Sequence, residues 1–175
     1  MVIVLSLLTA GAVGSLASLF NRLVQLRHNI EKAWSNIDAL LLQRNEEIPR
    51  LVGLCRAYME HEREILKTLG LLREEYERTH SRAQKVAMEN QISPALRELV
   101  TQAEGYPQLR ANELFQKTTQ RISDLETGIA DRRTFFNETV VLYNIQIERF
   151  PQKILAWGLG YRDHPYLLTP RRESP

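Results

Sequence analysis

At 175 residues the chain is long enough for one ordinary domain and too short for two comfortable ones. Its 23 lysines and arginines face 21 acidic residues, interleaved rather than clustered, so the footprint of a nucleic-acid-binding surface is missing and no nucleic-acid partner is expected. The only cysteine, Cys55, excludes an internal disulfide and falls on an apolar seam, where a small buried hydrophobe is the expected role.

Residues 1–21 carry no charged side chain, and the first charge is Arg22. As a helix, twenty such residues rise about 30 Å, the thickness of a bilayer's hydrocarbon core. Gly14 and Ser18 form a small-x-x-x-small pair that lets two such helices approach closely. Two rivals are a cleaved signal peptide, with Ala10-Gly11-Ala12 as its site, and a buried helix of a soluble bundle. The positively charged segment that precedes a signal peptide's apolar core is absent, so an uncleaved anchor is preferred. Arg22, Arg27 and Lys32 follow the span closely and place the body on the cytoplasmic side, N-out and C-in.

The helical pattern continues past the anchor. Leu19, Leu23, Leu26, Ile30, Trp34, Ile37, Leu41, Ile48, Leu51, Cys55, Met59, Leu66, Leu69 and Leu72 keep close to a seven-residue rhythm, with charges on the other faces. Pro49 removes a backbone donor inside this stretch, yet the apolar phase does not shift across it, so a kinked but continuous helix is expected rather than a helix-turn-helix. Arg73 to Asn90 is mostly polar and reads as the solvated end of the bundle, where the first rod frays and the chain turns back.

Ser93-Pro94 reads as a helix start, with Ser as cap and Pro in the first turn. Leu96, Leu99, Val100 and Ala103 give the short helix one apolar face, and Gly105 supplies its stop. Gly105-Tyr106-Pro107 is a turn, after which Asn112 caps a second long helix running to Phe150. Its stripe is Phe115, Thr118, Ile122, Leu125, Ile129, Arg132, Phe136, Val140, Tyr143, Ile147 and Phe150. A rod of that length needs a partner of similar length, which the first rod supplies. Pro151 ends it. The tail carries Trp157, Tyr161 and Tyr166, and either docks on the bundle, the preferred reading, or lays its ILAWGLGY segment at a membrane interface. Residues 171–175 are expected to be disordered.

The runs Phe20-Asn21-Arg22-Leu23-Val24, Ala33-Trp34-Ser35-Asn36-Ile37-Asp38 and Ile48-Pro49-Arg50-Leu51-Val52, with Tyr58 and His61-Glu62, resemble the first half of the bacterial LemA family. The block from Ala103-Glu104-Gly105-Tyr106-Pro107 to Gln108-Leu109-Arg110-Ala111-Asn112-Glu113 is similar to the family's most diagnostic one. Phe136-Asn137-Glu138, Tyr143-Asn144, Phe150-Pro151 and Gly160-Tyr161 resemble its third. Arg73 to Asn90 is more charged than the family pattern, and Arg162-Asp163-His164-Pro165-Tyr166 follows the usual ending only loosely. The resemblance implies an all-α fold in a bacterial inner membrane: an N-terminal transmembrane helix continuing into an antiparallel helical bundle built on two long helices plus a short one. It implies no cofactor and no catalytic residues. The corresponding division is an anchor at 1–21, a bundle at 22–161 and a tail at 162–175.

Catalytic signals are sparse. His61-Glu62-Arg63-Glu64-Ile65 opens like the zinc motif H-E-x-x-H but has Ile65 in place of the second histidine; His61 and Glu64 share a helix face and could hold a metal with a remote group, but a solvated or bundle-bridging charged face is the preferred reading and no metal is expected. Neither a phosphate-binding loop nor a nucleophile elbow is present. The polar residues Asp38, Arg44, Tyr58, Glu62, Asn112, Glu113, Asn137 and Asn144 lie on or beside the two seams, where an unpaired polar group is destabilising. They are expected to form an interhelical network that fixes register; the functional alternative is a groove for a partner helix or small ligand. The expected function is a non-catalytic, membrane-anchored scaffold that recruits membrane proteins or self-associates. A membrane-bound enzyme or ligand sensor using the polar seam is the alternative.

Overall fold

The computed structural model describes residues 1–167, so the expected disorder of 171–175 lies outside the described residues. Among them are six helices and no strand: α1 (Val2–Arg56), α2 (Arg63–Arg78), α3 (Arg82–Ala103), α4 (Pro107–Arg110), α5 (Glu113–Glu148) and α6 (Gln152–Gly158). The chain divides into two compact units. One is built from Met1–Asn36 and residues 132–167, and the other contains Ile37–Asp131.

In the first unit, Leu23, Ile30 and Ala33 of α1 are buried with Phe136, Val140, Tyr143 and Ile147 of α5. The helices run antiparallel. Trp34 meets Phe136 edge-on at 6.3 Å, and further back along α1 Arg27 lies 5.4 Å from the ring centre of Tyr161, beside the Arg162 carbonyl that Tyr143 holds further forward along α5. Residues 1–18 are exposed throughout, and burial on α1 begins at Leu19. Ala33, not Trp34, takes the fully buried stripe position, with Trp34 at its edge.

The second unit packs the later part of α1 with α2, α3, α4 and the start of α5. Ile37, Leu41, Ile48, Leu51 and Cys55 are buried together with Leu66 and Leu69, Ile92, Leu96 and Leu99, and Phe115, Ile122 and Leu125. Each such Leu or Ile contributes about 1.5–3 kcal/mol on leaving water. Here too α1 and α5 are antiparallel: Gly128 lies so close to Leu40 that a Cβ would sit 3.3 Å from its Cδ1, and Arg121 reaches Gln43. Asn112 caps α5 as expected, its Oδ1 accepting from the Leu114 and Phe115 N–H groups at 2.9 and 3.1 Å.

Four expectations are corrected. α1 does continue through Pro49, but it ends at Arg56, and the Leu66-Leu69-Leu72 stripe belongs to a separate helix after a turn at residues 57–62. A turn that returns the chain in phase is invisible to periodicity. Ser93-Pro94 is not a helix start: α3 begins at Arg82 and carries Pro94 inside, because Ile92, Ser93 and Leu96 already share a buried face. The polar stretch from Arg73 to Asn90 is not a frayed end but the last turns of α2 and the first turns of α3, with Tyr76 and Glu89 buried. On α5 the buried arginine is Arg133 and Arg132 is exposed, since five turns from Phe115 take 18 residues and land on 133.

Candidate functional site

The α1 seam carries one full charge into the core of the second unit. Arg44 follows Leu41 by three residues and precedes Ile48 by four, so the helix turns its side chain inward and leaves it 0% exposed. Its guanidinium donates to Glu89 Oε2 at 2.5 Å, to Ser93 Oγ at 2.8 Å and to Glu126 Oε1. The Ser93 hydroxyl in turn donates to Glu126 at 3.0 Å. Glu89 and Ser93 come from α3 and Glu126 from α5, so one cation from α1 ties three helices together. Glu89 is 1% exposed, whereas the Glu126 side chain keeps 27%.

A second polar cluster lies two turns earlier on α1. Asp38 accepts from Lys85 Nζ at 2.6 Å and from the Tyr76 hydroxyl at 3.5 Å. Burial, then the neighbouring Asp38 and Glu89 carboxylates, push the Tyr76 phenol well above its ordinary value. Elsewhere in this unit the Tyr106 hydroxyl donates to Glu62, 2.6 Å from both carboxylate oxygens, and that bond to a carboxylate is the main cause of its raised pKa. Cys55 is buried and its thiol is pushed up to about 11 by loss of water. His61, Glu62, Glu64, Glu98 and Gln102 line an open groove of about 380 Å³. No three His, Cys, Asp or Glu side chains among the described residues come together to hold a metal.

In the first unit the polar residues do something different. Asn137 and Asn144 lie seven apart on α5 and each forms a two-bond clasp with the backbone of the returning tail. Asn144 Nδ2 donates to the His164 carbonyl at 3.1 Å while its Oδ1 accepts from the His164 N–H at 2.9 Å. Asn137 does the same with Leu167, at 3.0 and 2.8 Å. The Tyr143 hydroxyl donates to the Arg162 carbonyl at 3.2 Å, and the His164 ring packs edge-on to Phe136 at 6.0 Å. Burial raises the Tyr143 phenol. Beside this strap, Asn144, Ile145, Glu148, Asp163, His164 and Tyr166 line a groove of about 520 Å³.

The eight polar seam residues therefore do not form one network. Arg44 and Asp38 bridge helices; Glu62 meets Tyr106; Asn112 is a cap; Asn137 and Asn144 hold the tail. Glu113 is exposed and pairs with Lys117 one turn on, at 2.5 Å. Tyr58 sits half-buried in the turn after α1, its N–H on the Cys55 carbonyl. Sequence reasoning missed Glu89, Ser93, Glu126 and Lys85. The available signal was Arg44 itself, because a cation at a core position calls for buried acceptors, and Glu89 is an acid at helical spacing from Ile92 and Leu96.

The tail reading is half upheld. Tyr161 lies under the Arg27 guanidinium, 5.4 Å from ring centre, and residues 162–167 are strapped to α5, but Trp157 is 85% exposed.

Fold and polar clusters together define an all-α protein whose long apolar-led helix runs into a bundle tied internally by buried polar groups. A sequence model described as the LemA family matches residues 33–175, and the chain belongs to the LemA family. The matched region contains every polar seam residue and begins after the apolar residues 1–21. No curated protein matches the chain.

Proposed function

We propose that the protein is a membrane-anchored, non-catalytic helical scaffold at the cytoplasmic face of a bacterial inner membrane. The observation that carries this reading is residues 2–18 of α1: uncharged, exposed along their whole length, and covalently continuous with the bundle helix. α1 is the helix long and apolar enough to cross a bilayer among the described residues. An exposed apolar surface of that extent is unfavourable in water and favourable in lipid. Arg22, Arg27 and Lys32 favour the N-out, C-in orientation.

The scaffold part rests on what the buried charges are used for. Arg44, Glu89 and Glu126 are spent on one another, and Asp38 on Lys85, which suits interhelical fastening better than acid–base chemistry on a ligand. On the outside of α5, Phe135, Leu142 and Ile145 are exposed large apolar side chains at spacings of seven and three, a surface suited to a partner helix or a second copy. Two experiments test the proposal. The full chain is expected to float with lipid vesicles and to resist alkaline carbonate; release into the wash with residues 1–21 intact overturns the anchor. Crosslinking in intact membranes is expected to attach either other membrane proteins or a second copy, and a strictly monomeric, uncrosslinked chain overturns the scaffold.

A further inference from the structure

The tail leaves one group of side chains facing away from the first unit. α6 buries Gln152 and Ala156 but exposes Ile154 (62%) and Trp157 (85%), three apart and so on one face, and Phe150 just before the helix is 82% exposed. Two rings and a branched chain in open water are unfavourable. The C-terminal end of α6 closes as a Schellman motif: the Tyr161 N–H reaches the Ala156 carbonyl at 2.9 Å, the Gly160 N–H reaches Trp157 at 3.2 Å, and Gly160 takes φ +70°. Tyr161 is then held under Arg27 and the chain beyond it by Asn144 and Asn137.

The register of the first unit fixes the level at which this face sits. With Trp34 beside Phe136, and Arg27 over the Tyr161 ring next to the Arg162 carbonyl that Tyr143 holds, an antiparallel pair carries Leu23 to the level of Ile147, both buried, and Phe20 to the level of Phe150. Phe20 is within two residues of Arg22, where the uncharged stretch ends. Exposed Arg22, Arg149 and Lys153, against one exposed acid, Glu148, lie near the same level. Aromatic rings flanked by basic side chains at the end of an apolar span match the chemistry of a bilayer interface, rings among the headgroups and cations toward lipid phosphates.

We infer that Phe150, Ile154 and Trp157 make a second contact with the membrane that α1 enters, α6 lying in the headgroup layer and fixing the angle and height of the bundle. This rests on the anchor reading. The test uses the full chain in vesicles of phosphatidylcholine and phosphatidylglycerol, with and without lipids brominated high on the acyl chains, and reads tryptophan emission. The sequence has two tryptophans, and Trp34 is half-buried against Phe136, so the Trp157→Phe variant isolates the signal. Brominated lipid is expected to cut the Trp157 component roughly two-fold and to leave the Trp157→Phe variant unchanged; Phe150→Ser with Ile154→Ser, both at exposed sites, is expected to relieve the quenching. Flotation of the same samples reports the anchor separately. A chain that floats while wild type and Trp157→Phe respond alike overturns the α6 contact and leaves the anchor standing. A chain that does not float overturns both. Trp157 emission that shifts with protein concentration and ignores bromine overturns the lipid contact in favour of a second copy on this face.

Discussion

Replacing Arg44 tests whether the buried cluster is a fastening or an ornament. Arg44→Met keeps most of the side chain's length and apolar stem but removes the guanidinium that Glu89, Ser93 and Glu126 accept from or share. The two carboxylates differ in consequence. Glu126, with about a quarter of its side chain exposed, can turn to water; Glu89 at 1% exposure keeps a buried negative charge without its guanidinium. Removing one partner of a buried ion pair costs about 3–5 kcal/mol, while replacing both by apolar groups of similar volume is close to neutral or stabilising. Arg44→Met is therefore expected to destabilise by roughly 3–5 kcal/mol, and Arg44→Met with Glu89→Met by much less than the two single changes added together. At about 2–4 °C per kcal/mol for a chain of this length, the single variant loses roughly 6–20 °C in Tm.

The assay is thermal and urea unfolding of the full chain in detergent, followed by helical circular dichroism. Lys117→Ala, which removes an exposed pair with Glu113, serves as control and is expected to stay within about 1 kcal/mol of wild type. An Arg44→Met variant as stable as that control, or a double variant whose loss equals the sum of the singles, refutes the reasoning.

Three further outcomes follow from the same contacts. Asn45 is buried beside Arg44 with neither amide atom bonded to a protein group, so Asn45→Leu is expected to raise stability by about 1–3 kcal/mol in the same unfolding assay; a loss of that size counts against it. Asn144→Ala removes both bonds to His164, and hydrogen exchange is expected to speed up roughly five- to ten-fold at the His164 amide while α1 amides are unaffected. Between pH 9.0, the ordinary thiol value, and about 11, the unfolded chain loses the Cys55 proton that the folded chain keeps, so stability falls as pH rises through that window. Tyr76, also raised, adds loss of the same sign above pH 10. Unfolding of Cys55→Ala between pH 9 and 11 should show a shallower decline, and the wild-type thiol should resist aromatic disulfide reagents at pH 8 until the chain unfolds.

What could be read from the residues and what could not divides along a physical line. Side chains whose role depends on their own helix were legible: the α5 stripe apart from Arg132 and the exposed Phe150, the Asn112 cap and the apolar lead of α1 follow from 3.6-residue geometry and local bonding. The exposure of Ile154 and Trp157 depended on where α6 lands; a single-helix pattern could mark Arg44 and Glu89 as buried charges, but their pairing depended on which helices meet. Pro94 misled because proline is a better marker of a first turn than of a helix interior, yet the stripe through Ile92, Leu96 and Leu99 was strong enough to run a helix across it. Glu113 misled in the other direction, since a motif position next to a cap need not face inward.

The two asparagines show how far spacing alone can be pressed. Seven residues of α-helix advance about 10.5 Å, and three residues of extended chain advance about 10 Å. Asn144 and Asn137 are seven apart and clasp His164 and Leu167, three apart, in the opposite direction. Each amide offers one donor and one acceptor to the backbone, the same exchange that a neighbouring β-strand would make, so an unpaired extended segment is satisfied without a sheet. Because Tyr161 is fixed under Arg27 and Tyr143 holds the Arg162 carbonyl, this match of rises sets the register of the whole return segment against α5. The same strap follows directly on α6, whose Ile154 and Trp157 are left on an outward face.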